Sequence, residues 1–113
     1  MSARITTHVL DTATGRPARG MALSLARLGP AGFIPVAQAV TNDDGRAPGL
    51  TDGTHVGPGT WRVRFETGSW FEASRIEGFY PYAEVVFTLR EADAHVHVPL
   101  LLSPFGYSTY RGS

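Results

Sequence analysis

Residues 95–113, HVHVPLLLSPFGYSTYRGS, leave little choice of secondary structure. Val96, Val98, Leu100 and Leu102 alternate with His95, His97, Pro99 and Leu101. Successive side chains of a strand point to opposite faces, so the first set makes a core face and the second stands on the other. Ser103-Pro104-Phe105-Gly106 is a turn, and a second strand is predicted over Gly106–Arg111. The face with two imidazoles is the unusual one, because a strand against bulk water has no need of paired titratable rings.

The same period of two recurs along the chain. Arg4–Leu10, Met21–Leu28, Phe33–Thr41, Thr60–Thr67, Ala83–Leu89 and Ala94–Leu102 all read as strands. The pattern is clearest where Trp61, Val63 and Phe65 alternate with Arg62, Arg64 and Glu66, a half-buried strand with its charges outward. Turns are expected at residues 11–15, 29–32 and 42–45, and residues 46–59 read as a loop with room for one short strand. Ser69 is predicted to cap a short helix over Trp70–Ile76, with Glu72 as its capping-box partner. Seven or eight short strands with one helix at most predict an all-β sandwich, with a small barrel as the alternative.

A chain of 113 residues suits a single domain, 1–113, around one core. Ten basic residues balance ten acidic ones, which argues against nucleic acid or an anionic membrane as partner. The absence of cysteine excludes a disulfide framework, a thiolate nucleophile and a Cys-based zinc site. MSARITTHVL holds no apolar run suited to a secretory segment or a membrane span, so a cytoplasmic location is expected.

The four histidines show no HExxH spacing. His95 and His97 share a strand face, yet nothing nearby supplies a third ligand, and no metal is expected. His55 lies in a Gly-rich loop and reads as a solvated side chain. His95 reads as an outward strand residue or a helper to His97. His8 shares a face with Thr6 and Leu10, and Arg46 follows a tight turn. There is no GxSxG elbow, P-loop or dinucleotide fingerprint. Residues 107–113 stay strand-like where chain ends usually fray. The plain reading is an edge strand, and the sharper one is a segment tied down because it lines a site.

THVLDTATGRPARGM near the start, DDGR in the middle and HVHVPLLLSPFGYSTYRGS at the end resemble the 5-hydroxyisourate hydrolases, or transthyretin-related proteins. The similarity spans the whole chain, and the Tyr-Arg-Gly-Ser run is specific because transthyretin itself lacks it. The resemblance implies a transthyretin-like β-sandwich of two four-stranded sheets with one short α-helix. It also implies a homotetramer whose active sites sit at the ends of a channel between dimers, which gives the His97 face a role.

The implied activity is metal- and cofactor-independent hydrolysis of 5-hydroxyisourate to 2-oxo-4-hydroxy-4-carboxy-5-ureidoimidazoline, a step in urate degradation. Carried over by position, the catalytic residues are His8, Arg46 and His97. The substrate-binding residues are Tyr110, Arg111, Gly112 and Ser113. His97 is expected to be the general base, His8 to orient water or relay a proton, and Arg46 to hold the oxygen-rich ring. Two departures stand out: Val96 and Phe105 occupy positions where many members have Tyr. Val96 points away from His97 by alternation, so no loss of chemistry is expected there. The competing readings are a non-catalytic transthyretin-like carrier of a small ligand and a structural or adhesive sandwich domain.

Overall fold

The computed structural model describes residues 2–113. In chain order its elements are β1 (Arg4–Asp11), β2 (Arg16–Pro17), β3 (Ala22–Gly29), β4 (Gly32–Val40), β5 (Gly59–Phe65), α1 (Thr67–Ala73), β6 (Ala83–Leu89), β7 (His95–Ser103) and β8 (Gly106–Thr109). One sheet runs β2-β1-β7-β8 and the other β4-β3-β5-β6. This is the expected sandwich. Most strand ends fall within one or two residues of those expected, the usual scatter of element boundaries.

The core forms where the alternating apolar positions of the two sheets meet. Trp61, Val63 and Phe65 of β5 and Leu25 of β3 are fully buried from one side, Val9 of β1 and Leu100 and Leu102 of β7 from the other. The Trp61 indole N–H donates to the Gly57 carbonyl at 3.0 Å, so its one polar atom is satisfied as the ring is buried. Truncating such a ring costs about 3–5 kcal/mol. Val96 is only 4 % exposed and belongs to this core, on the face opposite His97. Phe105 is 68 % exposed at the turn between β7 and β8.

The helix starts earlier than the sequence suggests. It begins at Thr67 with Glu66 at its N-cap and no side-chain cap, so Ser69 lies inside it and caps nothing. Docking replaces capping. The Gly68 N–H donates to the Pro81 carbonyl at 3.0 Å, and the Thr67 hydroxyl to the Tyr80 carbonyl at 3.3 Å. The C-terminal end closes at Arg75, which takes φ 57°. The N–H groups of Ile76 and Arg75 return to the carbonyls of Phe71 and Glu72, a Schellman closure that stops the helix before Ile76.

Three pairings position the site. β1 and β7 run parallel, with Thr6 opposite His97 and His8 opposite Pro99. The segment after β4 forms no strand of its own, but it adds one bridge, His8 to Arg46, to the edge of β1. β8 ends at Thr109, short of the predicted Arg111, and pairing resumes at a single bridge between His97 and Gly112. Pro99 explains the gap. It has no N–H to give the ladder, and the Thr109 hydroxyl instead reaches its carbonyl at 2.7 Å. Among the described residues no helix is long and apolar enough to cross a membrane.

Candidate active site

Residues opposite one another on neighbouring strands share a face. The core face of β1 carries Ile5, Thr7 and Val9, which leaves Thr6 and His8 outward. Their partners follow on the same outward face: Arg46 beside His8, His97 beside Thr6, and Gly112 beside His97. A row of residues far apart in sequence therefore crosses one face of the sheet. His8, Arg46, His97 and Gly112 all lie on it.

A cavity of about 450 Å³ opens on this face. Arg4, Thr6, Arg46, His95, His97 and Ser113 line it, with residues 47–52 as the facing wall. That volume suits a small organic ligand. His8 is half-buried and does not line the cavity directly. Tyr110 and Arg111 line a smaller cavity of about 220 Å³ between β6 and β7, which His97 also touches. Arg111 is engaged there, its guanidinium donating to Asp93 Oδ1 at 3.1 Å. Within one chain, then, Arg46, His97 and Ser113 share a cavity, Gly112 backs it, and Tyr110 and Arg111 stand outside it.

Arg46 is placed by its backbone. Asn42 Oδ1 accepts the N–H groups of Asp44 at 2.9 Å and Arg46 at 3.0 Å, and the Asn42 N–H donates to the Arg46 carbonyl at 2.8 Å. Gly45 has φ 75°, and a Cβ there would collide with the Val9 carbonyl oxygen. Only glycine lets this turn lie so close against β1. Among the described residues the exposed Arg46 guanidinium has no carboxylate partner. It is free to hold an anionic or oxygen-rich ligand by paired hydrogen bonds.

His97 is held from both sides. The Thr6 hydroxyl lies 2.7 Å from Nδ1 of His97 and 2.7 Å from Nε2 of His95. On the other side the Gly112 N–H donates to the His97 carbonyl at 2.9 Å. A Cβ on Gly112 would fall on Cδ2 of the ring and stand 3.0 Å from Cγ. The residue must be glycine for the imidazole to keep its place. Burial lowers the pKa of His97 below its ordinary value, and the charges of Arg46, His95 and His8 add to that, against an opposing pull from the Thr6 backbone. The shift favours the neutral ring, the form that can accept a proton. Among the described residues no group of three or more His, Cys, Asp or Glu side chains is placed to hold a metal ion.

Thr6 and Asn42 are the members that reasoning from the sequence did not assign, and His95 was left open there between an outward strand residue and a helper to His97. Thr6 shows only as a strand residue two positions before His8. Its register against His97 has no local trace in the sequence. Asn42 was legible as a turn residue, though not as the anchor of Arg46.

A neutral imidazole beside an unpaired guanidinium can activate water and stabilise the oxyanion that forms when water adds to a carbonyl. The HIUase/Transthyretin family matches residues 5–112. A 5-hydroxyisourate hydrolase of Mus musculus is 48 % identical, over 99 % of this chain and 97 % of its own length. The structure of Klebsiella pneumoniae 5-hydroxyisourate hydrolase superposes with a TM-score of 0.86 at 37 % identity, covering 98 % of this chain and 94 % of that one. Sea bream transthyretin in complex with thyroxine superposes with a TM-score of 0.91 at 29 % identity, covering 97 % and 95 %.

Proposed function

The chain belongs to the HIUase/Transthyretin family, and we propose that its place there is among the hydrolases. It opens the six-membered ring of 5-hydroxyisourate, the product of urate oxidation, to give 2-oxo-4-hydroxy-4-carboxy-5-ureidoimidazoline. The fold alone does not separate hydrolysis from carriage, since a thyroxine-binding relative shares it closely. One observation carries the choice: His97 and an Arg46 without a carboxylate partner among the described residues line the same cavity. A carrier of an apolar ligand has no use for that pair.

In this reading Arg46 holds the oxygen-rich ring. His97 takes a proton from water as the water oxygen adds to a ring amide carbonyl. The guanidinium bears the developing oxyanion. The tetrahedral intermediate collapses, the ring C–N bond breaks, and the proton goes back to the leaving nitrogen. His8, one row along the same face, orients the water or relays a proton. The chemistry falls to imidazole and guanidinium, and no step is given to a metal or cofactor.

Tyr110 and Arg111 stand outside the main cavity of one chain. Their assignment to substrate therefore goes with assembly into a homotetramer that closes the site. Sedimentation of the purified chain tests this, with a tetramer expected and a monomer at assay concentrations contradicting it. A cytoplasmic setting, expected from the N-terminal residues, completes the proposal, and fractionation of the native cells checks it.

The activity itself has a simple assay. Urate oxidase generates 5-hydroxyisourate in the cuvette, and its ultraviolet absorbance is followed with and without the protein. Faster decay with the protein is expected. A decay equal to the spontaneous one, with retention of an aromatic ligand, would favour carriage.

A further inference from the structure

The Thr6 hydroxyl has one hydrogen and two lone pairs, yet it lies 2.7 Å from a ring nitrogen on each of two histidines. It cannot donate to both. At least one ring must donate to it, so the proton positions on the two imidazoles are tied together through one oxygen. We propose that Thr6 is a positioning residue that holds His97 with its proton on Nδ1, leaves Nε2 bare to act on water, and links the ring to His95 as a proton outlet. This rests on the assignment of His97 as base.

The chain of bonds runs from His97 Nδ1–H to Thr6 Oγ1, and from the Thr6 O–H to His95 Nε2. His97 Nε2 has no hydrogen-bond partner among the described residues. When Nε2 takes a proton from water, the Nδ1 proton can pass to Thr6 Oγ1 as the Thr6 proton passes to His95 Nε2. The rings then hold one added proton in total, and it rests on His95, the exposed member of the pair. Reversal of the same shifts returns it for the leaving nitrogen. The other charged or titratable groups about this pair are Arg4 and His8 on β1, Arg46, Asp52 and the carboxylate of Ser113 on the cavity wall, and Arg111 with its partner Asp93 beyond His97. No carboxylate bonds to either ring among the described residues, so Thr6 does the orienting that a carboxylate does elsewhere.

The test measures ring-nitrogen NMR shifts of His97 and the pH dependence of kcat in wild type, Thr6→Ser and Thr6→Val. Valine is a good strand former, so the fold is expected to survive. Wild type and Thr6→Ser are expected to carry the His97 proton on Nδ1 and to share one pH profile. Thr6→Val is expected to mix or reverse the tautomer. It should also lower kcat by on the order of tenfold or more with little change in KM, a share of what general acid–base catalysis supplies. Wild-type His97 protonated on Nε2 at neutral pH overturns the proposal, even if Thr6→Val does not fold. So does a Thr6→Val variant with unchanged ring protonation, whatever its rate. A wild-type protein that cannot hydrolyse 5-hydroxyisourate would remove the proposed function, while the ring-nitrogen measurement would still decide the role of Thr6.

Discussion

His97 owes its chemistry to neighbours that never adjoin it in sequence. Thr6 bonds its Nδ1, Gly112 leaves space for its ring, and burial together with Arg46, His95 and His8 disfavours its charged form. In its proposed role as general base, His97 works only when neutral. The acid limb of kcat/KM is therefore expected to have its midpoint below 6.5, the ordinary value for histidine. His95→Gln removes one of the charges that hold the pKa down, and should move the midpoint up. A wild-type midpoint at or above 6.5 would contradict this. Stability follows the same sign. The unfolded chain takes up the His97 proton first, so this group costs nothing at high pH and weakens the fold as pH falls below 6.5. Taken singly, His8, Arg46 and His97 are an ordinary strand residue, an exposed loop arginine and half of an outward pair. It was the resemblance across the whole chain that drew them together, and the pairing of β1 with β7 that supplied Thr6.

At the scale of elements, alternation was enough to find the longer strands, because each one buries one face and wets the other, whereas the two-residue β2 left no such pattern and the short strand allowed within residues 46–59 does not form. The partners of each strand were not legible. β1 and β7 pair in parallel across some ninety residues, and no local pattern encodes that register. The helix was misplaced because its start is set by docking on Tyr80 and Pro81, a tertiary effect that outweighs the Ser69–Glu72 capping pattern. β8 stopped early because Pro99 lies on its partner strand and cannot donate. The turn before Arg46 carries its own prediction. Asn42→Ala removes the acceptor for two backbone N–H groups. At about 1 kcal/mol for each hydrogen bond, it should cost on the order of tenfold in kcat/KM by loosening Arg46. Asn42→Asp keeps an acceptor and should retain most of the activity. Equal rates for Asn42→Ala and wild type would show that Arg46 is held by something else.

At the scale of the molecule, the sandwich is a platform that one relative uses to bind thyroxine and others to hydrolyse a purine derivative. On the proposed reading the difference lies on the outer face of one sheet, where in this chain an edge segment, two parallel strands and the C-terminal residues each place one group in a row. The core beneath is indifferent to it, since Val9, Val96 and Leu100 face the other way. Above pH 6.5, where His97 costs the fold nothing, the proposed chemistry and stability are therefore separable in this chain. The most direct measurement of that claim is kcat/KM of His97→Gln on 5-hydroxyisourate, read beside its melting curve. A loss on the order of a hundredfold or more, with melting close to wild type, is expected of a general base. Turnover near that of wild type would contradict it.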